Sequence, residues 1–352
     1  MTERIEPSRR YMKFGDRHSE FFGNRVSLKG EKFEFIDLFS GIGGIRLALE
    51  NLGGSCVFSS EWDAHCQETY RYNFGDIPHG DIQQVALKDI PDATVLAGGF
   101  PCQPFSSMGR RQGFMHETQG NLFFRIVEIL DHLQSRPSKG PDAILLENVG
   151  GLTTIKHEGE RVITSVVREL ENVGYAVSYG VLDAADFGVP QHRRRVYIVG
   201  VKKKLSGNDF RFDWEFAKKS PIDIGGLLER DVQGYSISRH LQDVYMYKKD
   251  DGRPQRVNPS SVGAVKTLVS TYHKIQRLTG TFVEDGPTGL RLLTRNECRD
   301  IMGFPKDFEI PEWVSRTQVY RQFGNSVTPP VIEAVASRLI KKVSKNKNQA
   351  AA

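Results

Sequence analysis

Cys102, in the run Gly98-Gly99-Phe100-Pro101-Cys102-Gln103-Pro104-Phe105-Ser106, is the residue with the clearest chemical reach in this 352-residue chain. A thiolate is a strong nucleophile. The short aliphatic run Ala93-Thr94-Val95-Leu96-Ala97 before it reads as a buried strand bounded by proline and glycine. The cysteine therefore falls just past a strand's carboxyl end, where open α/β sheets build their sites. By itself that placement is as compatible with redox or protease chemistry as with other covalent catalysis. A second constellation is Phe39-Ser40-Gly41-Ile42-Gly43-Gly44, which follows an apolar run and opens a helical pattern, with Glu61 twenty residues beyond Gly41. Glycines let backbone approach a ligand, a helix N-terminus favours a negative group, and an acidic side chain accepts hydrogen bonds from ribose hydroxyls. The spacing departs from G-x-G-x-x-G, so on this motif alone a cofactor site and a plain tight turn stand nearly level. Trp62, able to stack on adenine, and Asp81, able to accept from an adenine amino group, shift the balance toward S-adenosylmethionine rather than a dinucleotide. Core packing is the competing reading of Trp62.

The elements that must position these residues follow an alternating pattern. Phe35 to Phe39, Cys56 to Ser59, Val95 to Ala97, Ala143 to Leu146, Val177 to Val181 and Val196 to Val199 read as strands. Helical stretches fall between them at Ile45 to Leu52, Cys66 to Tyr72, Leu122 to Leu133 and Arg161 to Val173. Such alternation predicts an α/β fold, a doubly wound parallel sheet with crossover helices. Residues 1–32 read as a polar leader and 33–201 as the sheet domain. From about Lys202 to Gly289 the texture turns rich in proline, glycine and polar residues, with β-like pieces such as Ala264 to Val269, which predicts a second, smaller, loop-rich domain over 202–289. Helical pattern resumes at Thr294-Arg295-Asn296-Glu297, a capping-box match, and from Pro330 through Ile340. A segment over 290–345 is expected to return to the large domain, followed by a tail at 346–352.

Composition narrows the classes. The net charge is +5 and the pI near 8.9, modest for a nucleic-acid binder, so distribution matters more than the total. Basic clusters occur at Arg110-Arg111, Arg193-Arg194-Arg195, Lys202-Lys203-Lys204 and from Lys341 to Lys347. The first two adjoin the candidate chemistry, which favours phosphate or base contact there; the last reads as a solvated face. Cys56, Cys66, Cys102 and Cys298 show no C-x-x-C spacing, which argues against zinc sites and a disulfide framework and predicts a reducing, cytoplasmic setting. No metal is expected. There is no apolar h-region and no run of eighteen apolar residues, so neither secretion nor a membrane partner is supported.

Five ordered motifs resemble those of the cytosine-5 DNA methyltransferases: Asp37-Leu38-Phe39-Ser40-Gly41-Ile42-Gly43-Gly44, Pro101-Cys102-Gln103, Glu147-Asn148-Val149, Gln191-His192-Arg193-Arg194-Arg195 and Gly324-Asn325-Ser326-Val327. The resemblance runs from about Phe33 to Leu339, interrupted by the loop-rich region where that family keeps its target-recognition domain. It implies a Rossmann-like methyltransferase sheet plus that smaller domain, a bacterial or phage modification enzyme, and S-adenosylmethionine converted to S-adenosylhomocysteine. Phe39, Gly41, Gly43, Gly44, Glu61, Trp62, Asp81, Ile82, Pro101, Leu122, Asn325 and Val327 would line the cofactor. In that family the cysteine matching Cys102 adds to carbon 6 of cytosine, because carbon 5 alone is a poor nucleophile. Glu147 would quench charge at ring nitrogen 3 as a neutral acid, its protonated form favoured by burial behind Ile144-Leu145-Leu146. Arg193 and Arg195 match the two arginines that support this centre, the second through the cytosine carbonyl oxygen. A base inside a duplex cannot reach such a pocket, so base flipping is required.

The resemblance further implies double-stranded DNA as the partner, admits a cognate restriction endonuclease acting on the same sequence, and leaves a monomer as the expected state. Ser106 to Gly113 matches the family's mobile loop, with Arg110 and Arg111 available for phosphates and Met108 as an apolar wedge. Thr267-Leu268 resembles the threonine-leucine pair of the target-recognition domain; the polar run after it could read base edges or hold phosphates. The rivals are a transfer-RNA methyltransferase of the DNA-type family, disfavoured because its Cys-Phe-Thr element is absent, and a non-catalytic DNA-binding relative, disfavoured by the intact Cys102, Glu147, Arg193 and Arg195.

Overall fold

β1 (Phe33–Leu38), β2 (Gly54–Ser60), β3 (Val95–Gly99), β4 (Ala143–Val149), β5 (Tyr175–Asp183) and β6 (Arg194–Lys202) form one six-stranded sheet in the order β2-β1-β3-β4-β6-β5. The computed structural model describes residues 32–101, 122–138, 140–157, 159–207 and 210–351. The central strands are largely apolar, Glu34 and Asp37 in β1 and Glu147-Asn148 near the end of β4 apart, because both faces are covered: successive residues point to opposite sides. Phe35, Val95 and Leu145 pack with α1 (Gly44–Asn51) and the C-terminal helix. Ile36, Leu38, Leu96, Ile144 and Leu146 pack with α3 (Leu122–Ser135) and α4 (Val162–Asn172) on the other side. This is the expected α/β doubly wound arrangement; α2 (Ala64–Phe74) follows β2, and its Cys66 and Phe74 pack against the cluster that holds Ile42, Leu47 and Phe308.

One expectation is corrected. β1 to β4 pair in parallel, but β6 runs antiparallel to both β4 and β5. Only residues 184–193 connect β5 to β6. A parallel return needs a crossover of a dozen or more residues, so this pair closes as a hairpin and β6 slots between β4 and β5. That insertion carries the Arg193-Arg194-Arg195 run to the carboxyl end of β4, with Arg195 opposite Val149.

After β6 the chain first stays with the large unit, where Phe210 and Phe212 share the apolar cluster of Val331 and Val335. The loop-rich part then contributes only the short pair β7 (Gln255–Val257) and β8 (Thr281–Val283) and single helical turns. No strand forms over 264–269; Val265 makes one isolated parallel bridge with Gln191, because the neighbouring backbone groups bond to side chains instead. α5 (Arg295–Ile301) begins with the predicted capping box of Thr294 and Glu297. With α6 (Arg316–Asn325) it packs in one cluster with Leu268, Tyr272 and Phe282, and also with Ile42 and Leu47. The last helix, α7 (Pro329–Ala351), returns to the sheet and runs on helically through residues 346–351. Its Lys347 pairs with Asp142 at 2.6 Å.

Candidate active site

The site gathers at the carboxyl ends of β1, β3 and β4. At β1 the backbone turns sharply: Phe39 and Gly41 adopt left-handed φ values of 56° and 55°, and Gly43, at 91°, caps α1. A Cβ on Gly43 would lie 2.2 Å from the Phe74 ring, so glycine is required there. Glu61, at the end of β2, accepts the Gly41 N–H and the Asp63 N–H, each at 2.8 Å, and thereby holds the turn open. Burial pushes its carboxyl pKa up while those amide bonds pull it back. Trp62 is 74 % exposed, which overturns core packing as its role and leaves its ring free beside the turn. The Ser40 hydroxyl is buried there without a hydrogen-bond partner. Asp81 accepts from the Gln83 N–H at 3.0 Å and Ile82 is buried; Leu122, first in α3, packs on the same cluster as Phe39 and Ile82.

Val327 links this turn to the second half of the site. A Cβ on Gly44 would meet Val327 Cγ2 at 2.8 Å, and one on Gly99 would meet both Val327 Cγ1 and Glu147 Oε2 at 3.5 Å. Gly99, which leads to the exposed Pro101, thus faces the Glu147 carboxyl across the β3–β4 pair. Asn148 donates to the Phe100 carbonyl at 2.9 Å and anchors the chain leading to Cys102. Cys102 itself, with Ser106, Met108, Arg110 and Arg111, lies outside the described residues. Asn325 is exposed at the end of α6.

Glu147 and Arg195 form a nearly buried ion pair, Nε to Oε1 at 3.2 Å. Burial raises the Glu147 pKa, and Arg195 and then Arg193 oppose the rise. Arg193 is fully enclosed and braces the surroundings: it donates to the carbonyls of Leu268 (3.0 Å), Gly324 (2.9 Å) and Ser326 (2.6 Å), and its Nε has no partner. Burial, then the neighbouring Arg195, lowers its pKa to about 9, which still leaves the guanidinium charged at neutral pH. Asp183 accepts the Arg193 backbone N–H at 2.9 Å and approaches His192 Nδ1 at 3.1 Å. Thr267 Oγ1 donates to the His192 carbonyl at 2.5 Å, whereas the Leu268 side chain is buried in the α5–α6 cluster and presents no surface for reading bases. Sequence reading gave Asn148, Asp183 and Gln191 no role. Asn148 and Gln191 lie inside motifs, but their partners Phe100, Leu268 and Ile301 are distant in sequence; Asp183 bonds to His192 and Arg193 across the β5–β6 connection, which no local signal names.

The structure thus sets a glycine turn braced by an acidic residue beside a buried carboxylate–arginine pair, at the strand ends of an α/β sheet. The model of the C-5 cytosine-specific DNA methylase family matches residues 33–341. The type II methyltransferase M.MspI of Moraxella sp is 54 % identical over 87 % of this chain and 70 % of its own length. M.BsuFI of Bacillus subtilis is 50 % identical over 88 % and 73 %. Among solved structures, the S. pombe Dnmt2 methyltransferase superposes with a TM-score of 0.70 at 24 % identity, covering 88 % of this chain and 98 % of the other. The chain belongs to the C-5 cytosine-specific DNA methylase family and is a DNA cytosine-5-methyltransferase. Among the described residues no helix is long and apolar enough to cross a membrane, and no cluster of His, Cys, Asp or Glu could hold a metal ion.

Proposed function

We propose that the chain methylates carbon 5 of a flipped cytosine within one duplex DNA sequence, using S-adenosylmethionine and a transient bond from Cys102, as one component of a modification system. The observation that carries the reading is the buried Glu147–Arg195 pair facing Gly99, three residues before Cys102. The turn fits the cofactor: the orphaned Ser40 hydroxyl, the free Trp62 ring and the remaining lone pairs of Glu61 suit an adenosine with a charged tail. When bound, S-adenosylmethionine supplies an electrophilic methyl carbon on a sulfonium. Glu61 would accept from the ribose hydroxyls, Trp62 would stack on adenine and Asp81 would accept its amino group, with Phe39, Gly43, Gly44, Ile82, Pro101, Leu122, Asn325 and Val327 closing the pocket.

Cys102 Sγ forms a bond to carbon 6, and the displaced electron pair moves toward ring nitrogen 3. Glu147, whose neutral form burial favours against the pull of Arg195, would donate a hydrogen bond or proton there, and Arg195 would hold both its carboxyl and the base's carbonyl oxygen. Once carbon 5 carries the methyl, its proton passes to a solvent water, the C–H electron pair re-forms the C5–C6 double bond as the C6–S bond breaks to the Cys102 thiolate, and Glu147 takes back the proton from ring nitrogen 3. Arg193 contributes position rather than contact, since its Nη donors are committed to backbone carbonyls.

The test is methylation of a mixed-sequence plasmid and of bulk transfer RNA with labelled cofactor, followed by bisulfite sequencing. Labelled cytosines in one short DNA context are expected; transfer to RNA alone overturns the substrate. Cys102→Ser should abolish both turnover and trapping on 5-fluorocytosine DNA, and a surviving covalent adduct would remove the nucleophile assignment.

A further inference from the structure

The segment from Val265 to Ser270 is held on two sides by residues that also frame the catalytic pair. On one side it is zippered to residues 190–193. The Val265 N–H donates to the Pro190 carbonyl at 3.0 Å and the His192 N–H to the Val265 carbonyl at 2.8 Å. Leu268 is gripped at both backbone groups: its N–H donates to Gln191 Oε1 at 2.6 Å, and its carbonyl accepts from Arg193 at 3.0 Å. Gln191 is wholly buried and spends its amide donor on the Ile301 carbonyl at 3.2 Å, beside Met302 Sδ at 3.1 Å. One side chain thus ties the segment, the C-terminal end of α5 and the strand-end arginines into a single piece. On the other side, a Cβ on Gly324 would lie 2.2 Å from the Ser270 nitrogen and 2.4 Å from the Val269 carbonyl carbon. Backbone lies directly against backbone there, and no side chain fits.

Resting on the function proposed above, we infer that Gln191 is a positioning residue that sets the register of the Val265–Ser270 segment against Arg193 and Arg195, so that sequence reading and catalysis move as one body. The physical need is tolerance. A displacement of about 1 Å at a reacting centre costs on the order of 100-fold in rate, and a reading segment on a loop holds such tolerance only when buried partners fix it. Gln191 is suited to this because its acceptor and its donor are used at once, on two different segments. Gly324 completes the clamp by close approach, which explains a glycine near the end of α6.

The experiment uses the full chain with duplex DNA of randomised sequence. Gln191→Leu, similar in volume but without donor or acceptor, should lower kcat and reduce the preference for the parent's own site over single-base variants at least tenfold. S-adenosylmethionine affinity should stay within about twofold, since the Gln191 side chain bonds to Leu268, Ile301 and Met302 and not to the glycine turn. Gly324→Ala, which must push Val269 and Ser270 away, should reduce the preference in the same direction. A Gln191→Leu protein that melts earlier but keeps the parent's preference overturns the inference and leaves Gln191 merely structural. Where neither variant folds, amide exchange on the parent decides: protection of the Leu268 N–H comparable to β4 supports the clamp, and exchange as fast as an open loop overturns it. A parent protein that methylates no DNA removes the functional reading and this inference with it; an active parent with an unaltered preference in both folded variants removes this inference alone.

Discussion

Asp37→Asn should change how stability depends on pH, by an amount that follows from the residue's surroundings. Asp37 lies in the middle of the sheet, paired in register with Ser59 of β2 and Ala97 of β3, fully buried, with no hydrogen-bond partner for either carboxylate oxygen. Burial raises its pKa to about 8, with the Arg46 guanidinium opposing, whereas an aspartate in the unfolded chain titrates near 4. Between those values the folded chain keeps a proton that the unfolded chain has released. This group's contribution is therefore whole below about pH 4 and declines as pH rises, until the folded group itself ionises near 8. Each pH unit in that window costs about 1.4 kcal/mol. From about pH 5.5 to 8.5 the parent should lose roughly 3 kcal/mol that Asp37→Asn, uncharged throughout, does not lose. Urea unfolding of both proteins across that range measures the difference directly, because every other titrating group is shared. Parallel pH profiles would refute the reasoning and would mean that Asp37 is ionised and compensated in the folded state.

Three further expectations address the turn and the buried ion network. Trp62→Ala, at an exposed ring, should leave the unfolding free energy within about 0.5 kcal/mol while weakening S-adenosylmethionine binding, measured by isothermal titration; an unchanged affinity would remove its stacking role. Glu61→Ala deprives the Gly41 and Asp63 amides of their acceptor, so it should lower both stability, by about 1–3 kcal/mol, and cofactor affinity, whereas loss of stability alone would confine Glu61 to the turn. Arg291 is buried between Glu297 and Asp285, with contacts at 2.8 Å to each. Arg291→Met should therefore cost about 3–5 kcal/mol by stranding the buried Glu297 carboxylate, and a thermal midpoint close to the parent's would show that this network is not what joins α5 to the loop-rich part.

Much of the architecture was legible because it rests on local pattern. Continuous apolar runs mark strands covered on both faces, the Thr294–Glu297 capping box marks the start of α5, and the glycine turn after β1 announces a tight approach. The antiparallel insertion of β6 was not legible, although the shortness of residues 184–193 was a usable signal that no crossover helix intervenes. Nor was the role of Leu268, whose sequence context suggests base reading but whose side chain is core and whose backbone is what Gln191 and Arg193 hold.

The order of residues carries the types of the chemical groups: a cysteine past a strand, a glycine turn with its acidic partner, and a glutamate some fifty residues before two arginines. Which of them meet is a matter of packing. Glu147 and Arg195 become a pair because β6 folds antiparallel onto β4. Arg193 turns from a base-contacting candidate into a brace, because three backbone carbonyls from two distant segments converge on its guanidinium. Residue type follows from local chemistry, but a hydrogen-bond partner more than a hundred residues away is chosen by packing.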